Sequence, residues 1–276
     1  MRHRPGTARG GRILTAVGLT LLLFINLGPL GLVVRQSVTP EAETARWPLS
    51  LIPAAWTAEN IVSLWSTETL AGHVMLSLLV AAGATLGSLV LGAPAGWAAA
   101  RWRTAEVVST RASLLTRILP PIAIAIPLTA ILIPAGLYNH PLGLGLVAAH
   151  MTIGIPIALL ITYTAFRDLP SELEDAALVD GCGPTMTFFR IALPNVRGAL
   201  ASSSILVFLT SWDEFTYAIL LQLTNRTMPP LIYYYTEYGQ LGAASTLAFM
   251  TLVPAVIVIA ALQRLLVRGV LAGGLR

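Results

Sequence analysis

Residues 170–197 read PSELEDAALVDGCGPTMTFFRIALPNVR, a long polar stretch inside an otherwise strongly apolar chain. Together with Asp168 just before it, this stretch holds five of the thirteen acidic side chains, the others being Glu172, Glu174, Asp175 and Asp180. Pro170 followed by Ser171 is a helix start. Ser171 with Glu174 three residues on has the pattern of a capping box, in which the two side chains satisfy orphan amides of the first turn. A short helix is therefore predicted over about 171–180, with its acidic residues at the positive end of the helix dipole. Leu173, Ala176, Ala177 and Asp180 recur at i, i+3, i+4 and i+7, a narrow side of mostly small residues that another surface can approach closely. Gly181 and Gly183 end this helix, Pro184 opens a second, and Phe188, Phe189, Ile191 and Leu193 supply its apolar contacts before Pro194. The region 167–197 thus reads as a compact helix–turn–helix, a structured charged loop suited to docking a partner.

The rest of the chain explains why that loop stands out. Over 276 residues, 55% are hydrophobic and 11% charged, and the mean hydropathy is +0.76, which excludes a soluble domain and indicates an all-α, polytopic membrane protein. All seventeen basic residues are Arg. The pI near 9.6 then reflects topology and not a nucleic-acid partner, for which no soluble segment of domain size exists. Cys182, the single cysteine, has no Cys or His at metal-ligand spacing and reads as a small loop residue. His3, His73, His140 and His150 are scattered and are assigned no ligand role, so no metal site is expected.

Six apolar stretches, near 13–34, 72–98, 112–136, 142–166, 198–222 and 243–265, can each cross a hydrocarbon core of about 30 Å. The basic residues Arg2, Arg4, Arg9 and Arg12 resemble the n-region of a signal peptide, but the apolar run after them is longer than an h-region and is expected to be an uncleaved first span. Residues 1–12 then form a basic cytoplasmic tail and 13–276 a single transmembrane domain. Of the seventeen arginines, all but Arg35, Arg46 and Arg226 fall in one alternate set of connecting segments, which places both termini and the 167–197 loop in the cytoplasm. Trp47, Trp56 and Trp65 then lie in the outer segment 36–71, where a short interfacial helix is expected around 58–66.

Ionisable residues within a span suggest function. Asp213 and Glu214 lie within the fifth span among Trp212, Phe215 and Tyr217, and aromatic faces beside carboxylates suit sugar hydroxyls. Trp212, Asp213, Glu214 and Tyr217 are therefore expected to line a substrate path; the alternative is that one carboxylate caps a broken helix or pairs with an arginine of a partner. Pro120, Pro121, Pro127 and Pro134 predict a kinked third span. Ser202, Ser203, Ser204, Thr210 and Ser211 are read as helix-packing residues. The group Tyr233, Tyr234, Tyr235, Glu237 and Tyr238 reads either as an interfacial aromatic belt or as a contact for an external partner. The chain contains no Walker sequence, Gly-rich phosphate loop or GxSxG elbow, so it carries no ATPase site of its own and is not read as an enzyme.

Asp175-Ala176-Ala177, then Gly181, Ile191, Leu193 and Pro194 resemble the EAA loop of permease subunits of binding-protein-dependent ABC importers: E-A-A, three residues, G, nine residues, I-x-L-P. Asp175 stands where the motif has Glu, with Glu174 beside it, and Cys182 follows the glycine where a small residue such as Ala is usual. The stretches RDLPSELEDAALVDG (167–181), SWDEFTYAILL (211–221) and QRLLVRGVLAGGLR (263–276) look like the corresponding regions of carbohydrate-uptake permeases, the maltose-type second subunits. The resemblance implies a type I ABC importer permease fold in a bacterial cell membrane. It also implies a second permease subunit, two ATP-binding subunits that hold ATP and Mg, and an extracytoplasmic solute-binding protein. The same resemblance implies that Glu174 or Asp175 pairs with a basic residue of the ATPase, that Ala176 and Ala177 allow close packing and that Gly181 permits the turn. The expected cargo is a sugar or sugar-like solute. The alternatives are a glycerophosphodiester or polyamine carried by the same architecture, or a stand-alone secondary transporter, which would show internal repeats.

Overall fold

In the computed structural model, which describes residues 7–48, 50–67 and 70–273, every regular element is helical. The first helix, α1 (Thr7–Ser37), leaves large side chains such as Leu14, Phe24 and Leu27 exposed all round. A helix apolar on every side is one that lipid solvates. The short α2 (Glu41–Thr44) and α3 (Glu59–Thr67) follow, the latter at the position expected for the interfacial helix. Next come α4 (Leu70–Arg101), α5 (Arg103–Ile118), α6 (Pro121–Leu132) and α7 (Leu144–Arg167). The polar loop supplies α8 (Glu172–Val179), α9 (Pro184–Thr187), a π-helical turn (Phe188–Ala192) and α10 (Leu193–Asn195). The chain continues through α11 (Arg197–Trp212), α12 (Thr216–Leu221), α13 (Met228–Glu237) and α14 (Leu241–Gly273). The expected basic tail 1–12 falls mostly outside the residues whose side chains are described, as does the C-terminal Arg276.

Four of the six expected spans are continuous: Leu14–Ser37, Leu70–Arg101, Leu144–Arg167 and Leu241–Gln263. The other two are bent pairs, Arg103–Ile118 with Pro121–Leu132 at 102° and Pro184–Asn195 with Arg197–Trp212 at 78°, so the total is six if each pair is one span. The third is a break and not the kink expected within 112–136. Its cause is the Pro120-Pro121 pair, because a residue before proline is pushed out of the helical region. Leu119 and Pro120 accordingly have ψ of 126° and 143°. Pro121 then starts α6, where its missing N–H is no loss, and Pro127 is accommodated inside that helix. The fifth span likewise stops at Trp212 and resumes at Thr216.

The chain divides into two compact units, Met1–Thr69 with Ile232–Thr251 and Leu70–Leu231 with Leu252–Arg276. The first is held by polar contacts around residues 35–60. Arg35 Nη2 donates to Glu43 Oε1 at 3.3 Å and to Ser50 Oγ at 2.9 Å. The Ala54 N–H and then the Arg35 charge hold the Glu43 carboxyl below its ordinary range. Asn60 donates to the carbonyls of Ser37 and Thr39, and Glu41 accepts the N–H groups of Gly242 and Ala243 at the start of α14. Also in this unit, Tyr234 packs on Tyr235 and Tyr238, and Glu237 raises the hydroxyl pKa of Tyr233.

The second unit is built on close contact between α4 and α7. A Cβ on Gly92 would meet the Ala158 Cβ at 2.7 Å and the Leu159 nitrogen at 3.0 Å, and one on Gly96 would press on Thr162 and on the Tyr163 nitrogen at 2.8 Å. Small residues at such crossings let helix backbones approach where lipid gives no hydrophobic drive for association. Around this seam, Leu76, Val80, Leu146 and Ala149 bury Tyr217, Ala218 and Leu221 of α12. Further along α4, Ala81 packs against Phe208 and Trp212 of α11. Substituting Gly92 by Leu should cost about 1–3 kcal/mol through overpacking and lower the unfolding temperature in detergent. An unchanged melting curve would mean that the α4–α7 seam is not tight.

Candidate functional site

The polar loop folds as the helix–turn–helix expected, and its first turn and its end have different physical origins. At the end of α8, Gly181 has φ +88°, a left-handed conformation that favours glycine. Its N–H donates to Leu178 O at 3.1 Å, and the Cys182 N–H reaches Ala177 O at 2.9 Å. This pair of bonds is a Schellman motif, which satisfies carbonyls that the ending helix would otherwise orphan. At the start, the capping box is absent: Ser171 has helical dihedrals and makes no side-chain cap.

Glu174 is instead drawn inward. Arg101, the last residue of α4, donates from Nε to Glu174 Oε2 at 2.9 Å and from Nη2 to Oε1 at 2.7 Å. Trp97, one turn earlier, adds a bond from Nε1 to Oε1 at 3.1 Å. The Glu174 side chain is only 8% exposed. Of the two carboxylates expected to pair with a basic residue of another subunit, Glu174 is thus engaged within its own chain and Asp175 is exposed. The pairing also sets the rotation of α8: Glu174 and Ala177 face their own chain, while Glu172, Leu173, Asp175, Ala176, Val179 and Asp180 face out. The small-residue side is therefore turned by about one position from the one predicted, with Ala177 on the inner face.

Beyond the turn, Phe188, Ala192 and Val196 form a core with Phe166, and Trp97, Leu169 and Leu193 pack against it. The Trp97 and Phe188 rings are 5.3 Å apart, and the Phe166 and Phe188 rings 6.0 Å. Of the remaining motif residues, Ile191 and Leu193 are half-buried and Pro194 is exposed. A cavity of about 280 Å³ lies between Trp97, Arg101 and Trp102 on one side and Ser171, Asp175 and Pro184 on the other.

The break in the fifth span gathers a second group of polar residues. Glu214 accepts the Tyr217 N–H at 2.9 and 3.1 Å and the Ala218 N–H at 3.2 Å, so it caps α12. His150 of α7 lies beside it, with Nδ1 2.6 Å from Ser211 Oγ and Nε2 3.4 Å from Glu214 Oε2. The latter contact lacks hydrogen-bond geometry. Tyr217 is fully buried and its hydroxyl meets Thr152 at 3.0 Å, while Trp212 stacks on Phe208 with ring centroids 5.9 Å apart. Of the four residues expected to line a path, Trp212, Glu214 and Tyr217 are buried within this chain and Asp213 is exposed. His150, assigned no ligand role, has partners 61 and 64 residues away in the chain, beyond any local pattern. Among the described residues, no cluster of three His, Cys, Asp or Glu side chains could hold a metal ion.

Comparison with known proteins places this geometry. Residues 88–272 match the family described as binding-protein-dependent transport system inner membrane component. The chain belongs to this family. It is a multi-pass permease subunit of an ABC importer of the inner membrane. It is 27% identical over 275 residues to the sulfoquinovosyl glycerol transport system permease protein of Agrobacterium fabrum, covering 96% of this chain and 94% of that one. It is 28% identical to the diacetylchitobiose uptake system permease protein of Streptomyces coelicolor, over 98% of this chain and 91% of that one. To the trehalose transport system permease protein of Mycobacterium tuberculosis it is also 28% identical, over 82% and 84%. Among solved structures, a bacterial ABC transporter involved in import of the acidic polysaccharide alginate superposes with a TM-score of 0.75 at 17% identity, over 96% of this chain and 99% of that one. The MetNI methionine transporter superposes at 0.58 with 15% identity, over 72% and 95%. The fold is therefore that of a type I ABC importer permease.

In this permease, a Cβ on Gly181 would meet no atom within 4 Å, so the effect of Gly181→Ala is purely conformational. It should destabilise the turn by about 1–2 kcal/mol and speed hydrogen exchange at the Cys182 amide by roughly tenfold, since 1.4 kcal/mol is a factor of ten. Exchange at the wild-type rate would contradict the left-handed cap.

Proposed function

We propose that this permease forms half of the translocation path for a sugar or glycoside, paired with a second permease, two ATP-binding subunits and an extracytoplasmic solute-binding protein. ATP and Mg bind on the ATP-binding subunits. In this reading α8 seats in a groove of one ATP-binding subunit, and Asp175 with Glu172 pairs with its basic side chains. The observation that carries the reading is the outward face of α8, where Glu172, Asp175, Ala176 and Val179 are exposed on one side. Val179 is 87% exposed, and an apolar side chain in that position among carboxylates suits a partner surface better than water. Support for the cargo class comes from the relatives, whose names specify sulfoquinovosyl glycerol, diacetylchitobiose and trehalose. Ala176 permits close approach, and the Gly181 turn holds the helix at its angle. Ile191, Leu193 and Pro194 support the docking helix from behind, with Leu193 packed on the Phe188 core. Asp213, exposed at the interrupted fifth span, faces the path and accepts hydrogen bonds from solute hydroxyls.

Replacing both Glu172 and Asp175 by Lys in the assembled importer should lower recovery of the ATP-binding subunits and solute uptake by at least about tenfold, because like charges across an interface repel by several kcal/mol. Normal co-purification and uptake would reject the docking face. Asp213→Asn should raise the KM for uptake of the cognate solute several-fold while the complex still assembles. Wild-type uptake kinetics would remove Asp213 from the path.

A further inference from the structure

We propose that Arg101 is the positioning residue that transmits movement of α8 into the membrane-spanning bundle, with Glu174 as its grip on the helix and Trp97 as its brace. The inference rests on the reading that α8 docks on an ATP-binding subunit, and it assigns the step that follows docking.

Arg101 joins three elements at once. Besides its two bonds to Glu174 of α8, Nη1 donates to Phe166 O at 3.0 Å and Nη2 to Leu169 O at 3.4 Å. Phe166 lies in the last turn of α7, at the negative end of its dipole, and Leu169 lies two residues past the end of that helix. The guanidinium is therefore held by a carboxylate from one helix and carbonyls at and just past the end of another, on the terminal residue of a third. A planar fork satisfies such a set in one orientation only. The pair is nearly dry, with side-chain exposures of 17% and 8%, so its attraction is screened less than that of a surface pair.

The chain itself connects α8 only to α7, through residues 168–171, and to the following helices through the Gly181–Gly183 turn. Without Arg101, the end of α4 has no charged hold on α8. With it, a displacement of α8 pulls on α4 and on the end of α7 together, and the tight glycine seam at Gly92 and Gly96 moves the two long helices as one body. Trp97 contributes in two ways: its Nε1–H binds the same carboxylate, and its ring packs on Phe188 behind the loop. Glu174 thus acts inside the permease, whereas Asp175 acts across the interface.

The test uses the complete importer in proteoliposomes and reads ATP hydrolysed per solute taken up, together with recovery of the ATP-binding subunits. Glu174→Gln and Arg101→Gln should leave that recovery intact and raise the ATP cost per solute by about tenfold, within the usual range of coupling between sites. Trp97→Phe keeps the ring packing and removes one hydrogen bond, so it should raise the ratio by a smaller factor. It also serves where an Arg101 variant fails to insert. The paired exchange Arg101→Glu with Glu174→Arg should recover part of the loss relative to either single reversal. An unchanged ratio in Glu174→Gln and Trp97→Phe would overturn the proposal. Loss of the ATP-binding subunits from Glu174→Gln would overturn it too, by making Glu174 a direct contact. If instead the charge reversal at Glu172 and Asp175 has no effect on assembly while Glu174→Gln uncouples, the docking face is wrong and the tether stands.

Discussion

Hydrocarbon offers no hydrogen bonds, so a helix of this permease that breaks within a span must bring its own partners for the backbone, and helix ends near the membrane faces use the same kind of partner. The chain has few charges, and several of them meet that need. Glu214 covers the first amides of α12, Glu41 those of α14, and Arg101 covers carbonyls at the end of α7. The signs follow the helix dipole, with carboxylates at amino ends and a guanidinium at a carboxyl end. The break before α6 uses another solution. Its Pro120 and Pro121 have no N–H to satisfy, so two of the exposed donors are removed by the residue type.

The same constraint explains which parts of the molecule were legible in the sequence. Leu14–Ser37, Leu70–Arg101, Leu144–Arg167 and Leu241–Gln263 follow from apolar length alone, within a few residues of the expected bounds. The α8 helix and its Gly181 turn were legible because an acidic first turn after proline and a left-handed glycine are local signals, although the capping box itself did not form. The third span was read as one kinked helix and the fifth as one span with a broken helix as the alternative, since an apolar count cannot register a break whose polar groups are satisfied. The proline pair did mark the first break, and the acidic pair Asp213-Glu214 marked the second, where the capping alternative describes what Glu214 does.

What local pattern could not reveal is the orientation of α8. Ser171 and Glu174 have capping-box spacing, and in an isolated helix Glu174 would turn back to the first amides. A guanidinium 73 residues away in the chain competes for that carboxylate and wins, because a bidentate charged pair is stronger than a single bond to a neutral amide. The only trace in the sequence was Trp97 and Arg101 at i and i+4 on the last turns of α4, a spacing that puts both on one helix face. Topology accounts for arginines at that membrane face so readily that a specific role for one of them was hidden. His150, Ser211 and Glu214 were hidden for the same reason, since the contact joins α7 to the end of α11 and has no signature in either segment alone.

A buried ion pair is a poor device for stability as such, because removing two charges from water costs several kcal/mol and well-packed apolar residues often hold as firmly. Its advantage at this position is directional. An apolar contact between α4 and α8 would tolerate sliding or rotation of a short helix with little change in energy. The Arg101 fork accepts only one register, in which both oxygens of Glu174 are met while Phe166 O and Leu169 O are also reached. Rotating α8 by one residue would leave a nearly dry guanidinium and carboxylate unpaired, a loss larger than any single surface contact with a partner could supply. The face formed by Glu172, Asp175, Ala176 and Val179 is thus held outward by a contact on the opposite side of the helix, and a partner that moves this face moves α4 with it.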